Sequence, residues 1–177
     1  IRRMDRLMDD LLSYARAGRA ATEYTAVDLD TLVRGILDIQ PVRAGLQVVL
    51  DVAVEPFQAT HTPLETALRN LLANAVKHHD RDSGRIVVQA QHVDSWCEIR
   101  VTDDGPGVPP AAQERIFKLF QTATAAERGG SGIGLALTKR LVEVHGGSVS
   151  LRSPVADGRG ASFCVRWPRF PRRTSDE

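Results

Sequence analysis

A chain of 177 residues, 42% of them hydrophobic, can bury one real core and leaves room beside it for a short appendage. A formal net charge of +1 gives no bulk electrostatic reason to expect nucleic acid or an anionic membrane as a partner. The two cysteines, Cys97 and Cys164, lie in apolar strand-like runs without CxxC or Cys/His spacing, which argues against a disulfide framework or a metal site and reads as buried reduced thiols. No run approaches the ~18 to 20 apolar residues of a membrane span, no signal peptide is visible, and the start at Ile1 suggests a piece cut from something longer.

Met4, Leu7, Met8, Leu11, Leu12 and Ala15 recur at helical spacing among Asp and Arg, so residues 2 to 17 are expected to form an amphipathic helix with Gly18 as terminator. With no hairpin partner before it, so apolar a stripe seeks another copy of the chain or a missing segment. Asp28 or Asp30 can cap a second helix carrying Leu32, Val33, Ile36 and Leu37, and Pro41 ends it. Leu46, Val48, Leu50 and Val52 alternate with more exposed positions as a first strand. Thr62-Pro63-Leu64-Glu65 reads as a capping box with proline at the first helical position. The helix it opens carries Leu64, Leu68, Leu71 and Ala75 on an apolar stripe. Asn70, Asn74 and Lys77, at i, i+4 and i+7, fall on the opposite side, where they can meet a ligand.

Residues 85 to 92 and 96 to 102 read as consecutive strands turned by Asp94-Ser95, with Ile86, Val88, Ala90, Cys97, Ile99 and Val101 toward the core. The second strand runs into Asp103-Asp104-Gly105-Pro106-Gly107, which alone would be a tight turn. A short helix after Pro109-Pro110 is expected to carry Arg115-Ile116-Phe117-Lys118-Leu119-Phe120, and the polar, glycine-rich residues 121 to 131 are expected to be mobile. Gly130-Ser131-Gly132-Ile133-Gly134-Leu135 then sets alternating glycines at the opening of a helix that runs from about Gly132 to His145, where backbone amides can approach phosphates. GxxxxGK[ST] is absent and the spacing is not GxGxxG, so neither a P-loop nor a Rossmann site is indicated. Strands at 147 to 153 and 160 to 167 flank the turn-rich Pro154 to Gly158, and Arg166, Arg169, Arg172 and Arg173 read as a solvated chain end. Strands that follow strands, with helices segregated between them, predict a mixed sheet covered on one face by helices.

Three segments in one order, Asn70 to Lys77, Asp103 to Gly107 and Gly130 to Leu135, resemble the N box and the two glycine boxes of the histidine kinase catalytic domain of the GHKL superfamily, with Arg115 to Phe120 similar to its F box. The likeness runs from about Val27 to Trp167, and Met4 to Arg19 resembles the second helix of the dimerisation and phosphotransfer hairpin. The resemblance implies a two-layer α/β sandwich, the Bergerat fold, binding ATP and Mg2+ between helices and sheet. It divides the chain into a hairpin remnant at 1–19, a catalytic domain at 27–167 and a flexible tail at 168–177.

By the same resemblance Asp103, first in D-x-G-x-G, accepts from the adenine amine, which suits an acceptor-only carboxylate. Asp104 is assigned no role. Asn74 is the Mg2+ ligand, a neutral oxygen suited to a cation that shares its shell with phosphates and water. Asn70 supports the phosphates or the metal shell, Lys77 places a charge near them and His78 contacts the nucleotide, while His79 is unassigned. Gly105 and Gly107 complete the first glycine box. Gly130, Ser131, Gly132, Ile133, Gly134 and Leu135 cradle phosphates, Arg128 reaches the γ-phosphate or is simply exposed, and Phe117 and Phe120 anchor the short helix or hinge a lid.

None of the five histidines has the setting of a phosphoacceptor, so the expected kinase acts on a histidine hairpin of its parent, outside this chain, and does not phosphorylate itself. A downstream response regulator and pairing of two copies through the first helix complete the expected partners, and ATP use places the domain in the cytoplasm, whether its parent is cytosolic or membrane-anchored. The competing readings are a GHKL ATPase, a serine kinase of the anti-sigma type and a degenerate nucleotide-binding regulator. The ATPases usually carry a glutamate on the N-box helix to activate water, where this chain has Asn70 and only the early Glu65.

Overall fold

The computed structural model describes residues 2–17, 23–121 and 132–170, with side chains described from Met8 onward except Asp10. Its centre is a hairpin of β4 (Gly84–Val93) and β5 (Trp96–Asp103), turned at Asp94, whose φ of 53° is one that aspartate tolerates. On the outer side β2 (Leu46–Asp51) joins β4 in parallel, and on the other side β7 (Ala161–Pro168) and then β6 (Ser148–Arg152) continue antiparallel, giving the order β2-β4-β5-β7-β6. A parallel pair needs a crossover, and α3 (His61–His78) supplies it.

Alternation along the strands decides which face is dry. Ile86, Val88, Cys97, Ile99, Val101, Val165 and Trp167 are at most 1% exposed, packed in one core with Leu64, Leu68, Leu71 and Leu72 of α3 and with Leu29, Leu32, Val33 and Ile36 of α2 (Leu29–Ile39). Each such side chain contributes about 1.5 to 3 kcal/mol on burial. The other face is polar: Glu98 accepts from Gln91 and Arg100, and the Arg166 guanidinium lies 5.0 Å above the Trp96 ring. This is the expected mixed sheet with helices on one face. Asp28 caps α2 through the Thr31 amide.

Several local expectations are corrected. α3 begins at His61 behind Thr60, not at a Thr62 cap, so Thr62 and Pro63 lie inside its first turn, and Glu65 faces Arg69 one turn on at 3.8 Å. α4 (Pro110–Gln113) is a single turn, so the 115–120 segment lies beyond it in successive turns. α5 (Gly134–Val144) starts after Gly132, whose φ is 68°. β1 (Thr25–Val27) and β3 (Phe57–Ala59) form a small antiparallel sheet that sequence periodicity does not announce.

β7 runs to Pro168, so Arg166 belongs to the sheet, and the Arg169 amide just beyond it donates to Ser95 O in the β4–β5 turn, so neither belongs to a solvated end. Arg172 and Arg173 lie outside the described residues, as does Gly18. α1 (Arg2–Arg16) is the expected amphipathic helix, but it docks on α5 through Leu11, Tyr14 and the following Ala17, which meet Ile133, Leu137, Leu141 and Leu119. Met8, Leu12 and Ala15 of the expected stripe stay exposed. Among the described residues no helix is long and apolar enough to cross a membrane.

Candidate functional site

Between α3, the end of β5 and the start of α5 lies a cavity of about 590 Å³. The amphipathicity of α3 creates one wall: with Leu64, Leu68 and Leu71 committed to the core, Asn70, Asn74, Lys77 and His78 line the cavity, joined by Ala75 at the border of the two faces. Asp103 lines it from the last residue of β5, Gly107 from the turn that follows, and Gly132, Gly134 and Leu135 from the opening of α5. Ser153, Pro154 and Gly158 close the rim from the β6–β7 loop.

The Asp103 carboxylate is held from below by the Gly105 amide, which donates to Oδ1 at 2.9 Å. Burial pushes its pKa above the ordinary carboxylate value, a rise that the Gly105 and Ala161 amides only partly offset. Gly107 has φ 78°, and a Cβ there would meet Ser153 Oγ at 2.8 Å and Gly160 O at 2.9 Å, so both conformation and space demand glycine. The rim is knit by hydrogen bonds: Val108 N–H donates to Ser153 Oγ, Ser153 Oγ–H to Gly160 O, and Gly160 N–H to Gly105 O. Gln113 Nε2 donates to both Val108 O and Ser153 O.

Asn70 fastens the two helices together. Its amide nitrogen donates to Gly134 O at 3.2 Å and lies 3.4 Å from Thr138 Oγ1, which itself donates to Gly134 O. That bond sets the first turn of α5, whose amino terminus carries partial positive charge, against the amide-bearing face of α3. Among the described residues no group of three His, Cys, Asp or Glu side chains could hold a metal ion. A cation at Asn74 would therefore have to share its shell with ligand oxygens and water, which is the chemistry that suits Mg2+.

Other expected site residues stand elsewhere. Gly105 is buried beneath Asp103 and acts through its amide. Phe117 packs edge-on against Phe163, ring centroids 6.2 Å apart, as a core anchor. Phe120 is 58% exposed at φ 61°, its amide donating to Gly132 O. Ile133 is buried toward α1, away from the cavity, because its neighbours in the glycine box take the cavity side. Arg128, Gly130 and Ser131 lie outside the described residues.

Two features were not anticipated. The first is the β6–β7 loop, whose Gly158-Arg159-Gly160 is a third glycine pair before a strand and reads locally as an ordinary turn. The second is a contact between His79 and Asp104, 25 positions apart, with Nε2 and Oδ1 separated by 2.8 Å. Nothing local in the sequence points to it.

The profile of the histidine kinase-, DNA gyrase B- and HSP90-like ATPases matches residues 59–171. The circadian input-output histidine kinase CikA of Synechococcus elongatus is 35% identical, over 92% of this chain and 23% of that protein. The alginate biosynthesis sensor protein KinB of Pseudomonas aeruginosa is 33% identical, over 92% of this chain and 28% of its own. Among solved structures, full-length ShkA in complex with AMPPNP superposes with a TM-score of 0.78 at 32% identity, over 92% of this chain and 35% of that one. The chain thus spans only about a quarter of the length of the two relatives.

Proposed function

This chain belongs to the histidine kinase-, DNA gyrase B- and HSP90-like ATPase family, as a catalytic domain of the histidine kinase type, and on that premise we propose that it binds Mg-ATP and delivers the γ-phosphoryl group to a histidine on a hairpin of its parent. The observation that carries the reading is one cavity that holds a half-buried carboxylate, a face of amides and a cation, and the amino terminus of a helix. These suit base, metal-bound phosphate and phosphate in turn.

In this reading Asp103 accepts from the adenine amine, Asn74 offers its oxygen to Mg2+, Lys77 adds charge near the phosphates and the Gly132 to Leu135 backbone receives them. Asn70 orients the glycine turn. Mg2+, when bound, neutralises phosphate charge and orients the transferring group. The acceptor histidine and a downstream response regulator come from outside this chain, and the exposed Met8 and Leu12 of α1 are the surface offered to the hairpin or to a second copy.

The test is incubation with labelled ATP, with and without an added acceptor hairpin from the parent. Acid-labile label on the hairpin and none on this chain is expected. Binding of ATP without transfer favours an ATPase or a regulator, transfer to a serine favours the anti-sigma type, and no binding by calorimetry overturns the site.

A further inference from the structure

Beside the cavity, and not lining it, the residues that follow α3 make a set of contacts that the proposed reaction does not itself require. The Arg81 amide donates to His79 Nδ1 at 3.3 Å, so Nε2 carries the ring hydrogen and donates to Asp104 Oδ1 at 2.8 Å. The same Oδ1 also accepts from the Arg85 amide at 2.8 Å. The His79 side chain is fully buried, whereas that of Asp104 is half exposed. Arg43 donates to His79 O at 2.8 Å, and Arg159 pairs with the adjacent Asp80 at 2.6 Å, tying this turn to the start of β2 and to the β6–β7 loop.

Two consecutive carboxylates at the end of β5 pose a problem for a site that needs one. Asp103 faces the cavity, and Asp104 is turned out and fixed on two donors. A loose Asp104 would let the turn rotate, carry Asp103 off its bearing and bring a second negative charge toward the base. We propose that His79 is a positioning residue for adenine recognition: by pinning Asp104 away from the cavity it presents Asp103 alone to the base.

The inference rests on the nucleotide reading of the site. It deepens that reading by naming a residue outside the cavity on which base recognition depends. Against the burial penalty, the His79 bond and the Arg85 amide hold the Asp104 carboxyl below its ordinary value, in accord with a carboxylate fixed as an acceptor. Gly84 supplies the room, since a Cβ on it would overlap the His79 ring and come within 2.9 Å of Asp104 Oδ1.

The test compares calorimetric affinities for ADP and for inorganic triphosphate across variants of the full chain. His79→Asn keeps an acceptor for the Arg81 amide but cannot reach Asp104, and should weaken ADP about tenfold with triphosphate changed less than about twofold. His79→Gln, whose amide can still donate to Asp104, should restore ADP binding to within about threefold, as should Asp104→Asn, which keeps an oxygen under both donors. Gly84→Ala, which keeps both side chains but drives the ring off Asp104, should behave as His79→Asn.

Melting curves identify any variant that fails to fold. If His79→Asn does, Gly84→Ala decides. ADP affinity within about threefold of the parent in both His79→Asn and Gly84→Ala would overturn the proposal, as would equal losses for ADP and triphosphate or no rescue by either conservative variant. Failure of the unsubstituted chain to bind ADP would instead overturn the reading of the cavity itself.

Discussion

The Asp103 carboxyl lies above the ordinary carboxylate range because burial strips it of water, with the Gly105 and Ala161 amides opposing. A carboxyl raised in the folded state binds its proton more tightly there than in the unfolded chain. It therefore costs stability above its folded pKa, and the cost is relieved as pH falls through that value. The proposed recognition of the base by Asp103 needs the ionised form. Nucleotide affinity should thus fall as pH drops from neutrality toward the unperturbed carboxylate value of about 3.9, while Asp103's own cost to the unliganded fold diminishes. Calorimetry across that window checks it, and Asp103→Asn should lose this pH dependence; an unchanged profile in the variant would assign it to another group. The same substitution removes the charged acceptor proposed for the base, so adenine nucleotides should weaken by about tenfold or more and inorganic triphosphate far less. Asn74→Ala should instead remove the Mg2+-dependent part of nucleotide binding, and equal losses for every ligand in both variants would refute the division of roles.

Among the elements, α1 and α5 meet in a cluster separate from the main core, around Ile133, Leu137 and Leu141, with the Arg140 guanidinium 4.9 Å above the Tyr14 ring. A double-mutant cycle on Tyr14→Ala and Arg140→Ala should give a coupling of about 0.5 to 1 kcal/mol in denaturant unfolding, and a coupling of zero would mean that α1 leaves α5. The stripe on α1 was legible as helical, but its docking face was not, because α5 follows it by more than 100 residues and periodicity does not name a partner. The long elements α3, β4 and β5 were legible because repeated burial on one face leaves a periodic trace. β1 and β3, three residues each, are too short to leave one. In the site, Asn70, Asn74, Lys77 and Asp103 were legible as residues whose chemistry matches a motif. His79 with Asp104, and Gly158 with its loop, were not, since each has an ordinary local reading, and only the fold brings the first two together and the loop to the cavity rim.

At the scale of the whole molecule, the two cysteines report on global opening. Cys97 is fully buried in the sheet core, and desolvation raises its thiol from 9.0 to about 12, so the reactive thiolate is scarce while the fold holds. Cys164, on the neighbouring β7, is only half-buried, and burial raises it also. An aromatic disulfide reagent applied to the native chain should therefore label Cys164 first, and should reach Cys97 only when the sheet opens. Because nucleotide binds the folded state, ligand at about 100 times its Kd should stabilise that state by about 2.7 kcal/mol and slow Cys97 labelling by about a hundredfold where reclosing outpaces reaction. Asp103→Asn at the same ADP concentration should keep about tenfold protection or less, measured against its own unliganded rate. Mass spectrometry of the separately labelled peptides reads both sites, and Cys97 labelling that ADP does not slow would mean either that the cavity does not bind nucleotide or that Cys97 is reached by a local route that leaves the site intact. A Cys164→Ser chain, followed at several denaturant concentrations, separates the two: a rate that rises with denaturant as steeply as unfolding does marks the global route.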